Sequence, residues 1–250
     1  MQIDPKERFS KRAEYYSRYR PSYPDSLLRY LERELSFSQA SVVADVGSGT
    51  GILSELLLKN GNVVFGVEPN QDMRRTAEAN LVEYKLFKSV SGSAESTTLE
   101  SRTVDFITAA QSFHWFNPEK TRAEFCRIIR EGGWVVLIWN TRKTSTPFLQ
   151  NYDQLVSWVS NRRRVWHEDV SESVLRSFLG DYKAVKLTNS QETDYEGLIG
   201  RLMSASYAPL RGEPLFGEML GKVSELFKRH QVNGVVKFEY ETEVYAGQLR

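Results

Sequence analysis

The segment Asp45-Val46-Gly47-Ser48-Gly49-Thr50-Gly51 constrains this chain more than any other. It follows the apolar, β-branched run Val42-Val43-Ala44 and precedes Ile52 to Leu58, where Leu53, Leu56 and Leu57 recur at helical spacing. A strand therefore passes into a helix through a turn with glycine at alternate positions. Such a turn bends tightly, lets backbone approach a ligand without Cβ clashes, and offers the free N–H groups of the helix start. The spacing excludes the G-x-G-x-x-G fingerprint of dinucleotide sites. Counted from Gly47, the third required glycine falls on Ile52; counted from Gly49, it falls on Ser54. Asp45, an acid at the strand end, opposes a pyrophosphate and suits an ammonium group.

The same rhythm continues. Val63 to Val67 reads as a strand, Gln71 to Asn80 as a helix, Leu86 to Val90 as a weaker strand and Val104 to Thr108 as a fourth. Asn117, Pro118 and Glu119 start another helix, Gly132-Gly133 is its expected stop, and Trp134 to Trp139 is a fifth strand. Continuous apolar strands alternating with helices predict a sheet covered on both faces. The expected fold is therefore α/β: a Rossmann-like, doubly wound, mostly parallel seven-stranded sheet. After Asn140 the pattern changes. Helices are expected over Pro147 to Ser160, Ser171 to Leu179, Tyr195 to Ser206 and Leu215 to His230, with strands over Tyr182 to Thr188 and Val235 to Tyr245. The 250 residues read as one domain. Residues 1–40 form an N-terminal helical cap and 41–140 the core. Residues 141–181 form a helical insertion between strands five and six, and 182–250 complete the sheet.

The strand ends then converge on one crevice, where open α/β sheets bind ligands. Glu68, with Pro69 and Asn70, ends the second strand beside the glycine turn, and a carboxylate there can accept both hydroxyls of a ribose. Ser93, Ala94 and Glu95 follow the third strand and border a base, with Glu95 or a nearby backbone group beside an exocyclic amine. Ala110 and Gln111 end the fourth.

Charge and composition narrow the partners. Lys plus Arg number 33 and Asp plus Glu 32, a net charge of +1, which gives no electrostatic reason to expect nucleic acid. No uncharged apolar run is long enough to span a bilayer, and the opening MQIDPKERFSKRAEYY has no apolar signal core. Cys126 is the only cysteine, so a reducing, cytoplasmic setting is expected. His167 and His230 lack ligand spacing, so no metal is expected.

The runs VVADVGSGTG (42–51), VEPN (67–70), GSAES (92–96) and VDFITAAQSFHWF (104–116) resemble the class I S-adenosylmethionine-dependent methyltransferases. The resemblance covers residues 8–140 well and the remainder loosely. It implies S-adenosylmethionine as cofactor. Gly47, Gly49 and Gly51 would cradle its methionine part, Glu68 its ribose, and Ala94-Glu95 its adenine. The full expected cofactor set is Asp45, Gly47, Ser48, Gly49, Gly51, Glu68, Pro69, Asn70, Met73, Ser93, Ala94, Glu95, Ala110 and Gln111.

The segments RFSKRAEYYSRYRPSYP and SFHWF resemble the small-molecule branch that includes trans-aconitate methyltransferases, in which N-terminal helices close over the cofactor. Asn117 stands where that branch usually has an acid after H-W-F. The expected activity is methyl transfer to a small molecule, a carboxylate or hydroxyl. The alternatives are a nucleic-acid or protein methyltransferase, or a non-catalytic binding protein. Tyr16, Tyr19, Arg20, His114, Trp115 and Trp139 are the expected substrate walls. His114 is either a general base or a structural hydrogen-bonding group, since methylation of a carboxylate needs no base. The run Arg162-Arg163-Arg164 attracts an anion or is a solvated helix end.

Overall fold

The computed structural model describes residues 12–163, 170–205 and 207–249. Two helices come first, α1 (Ala13–Tyr19) and α2 (Ser26–Leu35). The core then alternates β1 (Val42–Val46), α3 (Ile52–Lys59), β2 (Val63–Val67), α4 (Gln71–Asn80), β3 (Phe87–Val90), β4 (Val104–Ala110), α5 (Pro118–Ile128) and β5 (Ile129–Arg142). Beyond it lie α6 (Pro147–Arg163), α7 (Glu172–Leu179), β6 (Tyr182–Thr193), α8 (Tyr195–Met203), α9 (Pro214–His230) and β7 (Val236–Gly247).

Local chemistry places the helix starts. The Asn70 side chain accepts from the N–H groups of Asp72 and Met73, both at 3.0 Å, and Asn117 accepts from that of Lys120 at 3.1 Å. In α2, Leu27, Leu31 and Leu35 are buried at four-residue spacing and pack with Val43, Leu57 and Val64 on one sheet face. Phe125 of α5 and Phe178 of α7 pack with Val46, Ile107 and Leu137 on the other.

Among the described residues, seven strands make one sheet in the order β3-β2-β1-β4-β5-β7-β6. The five strands of the core pair in parallel, but β7 is antiparallel to both β5 and β6. The sheet is therefore mixed, which corrects the expectation of a mostly parallel one. The physical reason lies in the residues. In β7, Phe238, Tyr240, Thr242, Val244 and Ala246 are buried while the residues between them are not. That alternation suits an antiparallel ladder with one wetter face.

A second correction concerns Gly132-Gly133. Helix α5 ends earlier, at Ile128. The β4–β5 register jumps from Val104 opposite Ile129 to Phe106 opposite Trp134, so the glycines sit in a bulge of β5. Helices α6 and α7 fall between β5 and β6, and α8 and α9 lie between β6 and β7. Helices α6, α8 and α9 form a separate cluster against Phe238 and Tyr240.

The N-terminal segment is fastened onto this cluster. The Arg12 guanidinium donates to the carbonyls of Met203 (3.1 Å), Ala208 (2.7 Å) and Ala205. The ring of Tyr19 lies so close to Gly200 that a Cβ there would stand 2.2 Å from it. The amides of Asn140 and Asn189 donate to the Ser22 carbonyl at 3.2 and 2.8 Å. Residues 12–24 thus cross the end of the sheet where β1, β2 and β4 terminate. Among the described residues, no helix is long and apolar enough to cross a membrane.

Candidate functional site

A cavity of about 320 Å³ opens at the ends of β1, β2 and β4, beneath Tyr16 and Tyr23. Its floor is the glycine turn. Gly47 has φ +67°, and a Cβ there would lie 2.6 Å from that of Ser112. Only a residue without a side chain lets Ser112 close over the strand end, where its hydroxyl donates to the Val46 carbonyl at 2.9 Å. Gly49 has φ +58°, and a Cβ added there would meet nothing nearer than Met73 Cε at 3.9 Å, so the backbone faces open space.

Two carboxylates flank this floor. Glu68 Oε2 accepts from the Gly49 N–H at 2.9 Å and Oε1 from the Asn70 N–H at 2.8 Å. Each oxygen keeps a free lone pair. Burial raises the Glu68 pKa, against the pull of those two backbone hydrogen bonds. Asp45 is 1% exposed. Its Oδ2 accepts from the Ser54 hydroxyl at 2.7 Å and its Oδ1 from that of Thr108 at 2.9 Å. Hydroxyls bring no positive charge, and burial pushes this carboxyl up to about 6. A buried acid in this state fits a cationic group entering the cavity, and the free lone pairs of Glu68 fit a diol.

The rim is held by polar contacts. Glu95 Oε1 accepts from the Asn117 N–H at 2.9 Å, tying the segment after β3 to the start of α5. Burial pushes the Glu95 carboxyl up, but hydrogen bonds from Asn117 and Ser93 prevail and hold it below the ordinary value. Gln111 adopts φ +56°, rare for a side chain of this kind, and turns the chain so that Ser112 reaches back to β1. Its Nε2 donates to the Asn140 carbonyl at 3.2 Å.

The fold gathers Asp45, Gly47, Ser48, Gly49, Glu68, Pro69, Asn70, Met73, Ser93, Ala94, Glu95, Ala110 and Gln111 around this one cavity, with Tyr16 and Trp115. Gly51, Tyr19, Arg20, His114 and Trp139 are not on its wall. Gly51 packs on Leu81, and Tyr19 on Gly200. The Arg20 guanidinium stacks on Tyr16 in the segment that covers the cavity, 4.9 Å from its ring centre. His114 sits in the 3₁₀ turn Phe113–Trp115 with its ring 4.9 Å from that of Trp115. Trp139 packs edge-on against Phe113 and Tyr245.

Ile52, Leu53 and Ser112 line the cavity without having been expected there; they lie within two positions of the expected Gly51 and Gln111. Tyr23 and Phe116, from the aromatic segments 15–23 and 113–116 that read as candidate walls, line it too. Arg164 and His167 lie outside the described residues, as do the side chains of Arg162 and Arg163. His230 Nε2 shares a hydrogen bond with Asn151 at 2.9 Å. No metal-binding cluster occurs among the described residues.

Residues 44–137 match the methyltransferase domain family. The chain is 29% identical over 219 residues to an uncharacterized methyltransferase of Mycobacterium tuberculosis (strain ATCC 25618 / H37Rv), covering 86% of this chain and 83% of the relative. The solved structure of a presumed type II methyltransferase from Anaeromyxobacter dehalogenans superposes with a TM-score of 0.70 at 21% identity, over 92% of this chain and 98% of that one. A phosphoethanolamine N-methyltransferase of Haemonchus contortus, solved with S-adenosylhomocysteine, superposes with a TM-score of 0.56 at 13% identity, over 96% of this chain and 58% of that one. With a methyltransferase domain over residues 44–137 and relatives that are methyltransferases, the chain is an S-adenosylmethionine-dependent methyltransferase.

Proposed function

We propose that this enzyme methylates a small molecule carrying a carboxylate or hydroxyl. The observation that carries this reading is the fastened roof. Residues 12–24 are tied to α8 by Arg12 and to β5 and β6 by Asn140 and Asn189. A polymer would have to displace these contacts; a small acceptor would not. The charge of +1 also offers nothing to a nucleic-acid backbone.

In this reading Asp45 receives the cofactor's ammonium, and the Gly47–Gly49 backbone supports its amino-acid part. Glu68 takes the ribose hydroxyls, and Ser93, Ala94 and Glu95 lie beside the adenine. When bound, S-adenosylmethionine supplies an electrophilic methyl on a sulfonium that departs as a neutral thioether. The chain's task is then to orient the acceptor and exclude water. Orientation alone is worth about 7–11 kcal/mol in a near-attack geometry. The rings of Tyr16, Trp115 and Phe116 add a cation–π attraction for the sulfonium of about 0.5–2 kcal/mol. His114 serves the aromatic turn rather than proton transfer, since it packs against Trp115 and does not line the cavity.

Incubation with methyl-labelled cofactor and a cell extract, split into small-molecule and polymer fractions, tests the proposal. Label in the small-molecule fraction is the expected result. Label confined to nucleic acid or protein overturns it.

A further inference from the structure

Beside the donor cavity lies a set of three arginines, one buried and two half-buried, each with a buried donor that lacks a partner. Arg201 of α8 is 7% exposed, and its Nε and Nη1 have no hydrogen-bond partner. Its guanidinium lies over aromatic faces, 4.9 Å from the centre of Phe238 and 5.1 Å from that of Tyr240. Arg142 stands directly opposite Tyr240 in the β5–β7 register, with its guanidinium 4.9 Å from the Tyr152 ring centre. It pairs through Nη2 with Asp153, while its Nε is buried and unpartnered. Arg20, stacked on Tyr16, also has a buried, unpartnered Nε. Tyr240 is 1% exposed, and its hydroxyl has no partner either.

Three guanidinium groups thus share one region in which Asp153 supplies the paired carboxylate. Native structures satisfy buried polar groups, and a buried charge left uncompensated is strongly destabilising. A fold that keeps several such donors together calls for a ligand to complete them. The planar forks of arginine match carboxylate and phosphate. The electrostatics agree. Burial lowers the Arg201 pKa, and the positive charges of Arg20 and Arg142 lower it further. All three arginines act on the hydroxyls of Tyr207 and Tyr240, although burial keeps both at about 12. Arg20, Arg142 and Tyr207 are partly exposed, which leaves a way in from solvent. Tyr16 joins this region to the donor site, because its ring carries Arg20 and the residue lines the cavity.

We propose that Arg20, Arg142 and Arg201, with the Tyr240 hydroxyl, form an anion subsite that grips a carboxylate or phosphate group of the methyl acceptor. The subsite rests on the reading that the acceptor is a small molecule. It places an anionic handle beside the segment that covers the cavity and leaves another part of the acceptor to meet the methyl donor.

The test uses the full chain saturated with S-adenosylhomocysteine. Melting temperature is followed while succinate, inorganic phosphate or sodium chloride is added at matched ionic strength. A saturable rise with succinate or with phosphate, and none with chloride, is expected. Succinate alone would identify a carboxylate handle, and phosphate alone a phosphate monoester. Arg201→Met should abolish the response while S-adenosylhomocysteine binding persists. Its ligand-free melting temperature should exceed that of the wild type, because an uncompensated charge has gone. A merely structural arginine would give the opposite sign. If Arg201→Met does not fold, Arg201→Lys keeps the charge but loses the fork and should weaken the anion response about tenfold or more.

No saturable response to either anion in the wild type overturns the subsite, as does an undiminished response in both variants. An intact anion response with methyl label found only in polymers would sink the small-molecule reading and spare the subsite, so the two failures are distinguishable.

Discussion

Replacing Asp45 by Asn isolates the electrostatic strain in the donor site. The carboxyl is raised from 3.8 to about 6, chiefly by burial. At about 1.36 kcal/mol per pH unit, its charged form costs the folded protein about 3 kcal/mol near neutral pH. The neutral amide of Asp45→Asn removes that cost, but its carbonyl oxygen can accept from only one of the Ser54 and Thr108 hydroxyls, a loss of about 1 kcal/mol. The ligand-free variant should therefore gain about 2 kcal/mol, or about 4–8 °C in melting temperature for a chain of this length. It should also lose the partner of the cofactor's ammonium, weakening S-adenosylhomocysteine about 10–100-fold by calorimetry. The wild type carries a matching pH signature. The folded state holds this proton more tightly than the unfolded chain, so the group's contribution to stability falls as pH rises from about 4 through 6. Affinity for S-adenosylhomocysteine should rise over the same interval as the carboxylate forms, then level off. A variant that melts lower than wild type and binds S-adenosylhomocysteine equally well would refute this reasoning, because Asp45 would then be a structural acid only.

Other substitutions probe the remaining parts of the site. Glu68→Ala should weaken S-adenosylhomocysteine by about 1.5–3 kcal/mol, the range for hydrogen bonds to a charged group, read by calorimetry on a variant checked for native circular dichroism. Gly47→Ala forces a side chain into φ +67° and against Ser112; a loss of at least about 1–2 kcal/mol in denaturant unfolding is expected, with weaker cofactor binding as Ser112 is displaced. His114→Asn should leave the pH dependence of kcat unchanged across about pH 5–8. Loss of a limb with a midpoint near about 6.5 would instead make the imidazole a base.

How far the sequence reaches depends on which forces act locally. From Val42 to Phe116 the strand ends, the glycine turn and Glu68 are positioned by short segments whose periodicity and turn chemistry are complete in themselves. The pattern of those residues alone points to one crevice, and they do share one cavity. Where a signal is shared between distant segments, the reading weakens. The wetter faces of β6 and β7 become informative only once β7 is known to lie antiparallel between β5 and β6. Trp139 ends an apolar run beside expected site residues, yet its ring packs against Phe113 and Tyr245 instead of the cavity. Gly51 completes the motif by sequence, but the helix that begins there carries it onto Leu81.

The arginines make the same point most sharply. Arg20 is one of the expected substrate-wall residues, Arg142 lies just past the expected fifth strand, and Arg201 falls within the helix expected over Tyr195 to Ser206. Each assignment is locally sound, and none predicts burial. What brings them together is the path of residues 12–24 over α8, held by Arg12 and by the contact of Tyr19 with Gly200. An uncompensated buried charge violates the ordinary balance of a core. That violation, rather than any motif, marks the acceptor side of the enzyme, because stability is surrendered there for groups that only a ligand can satisfy.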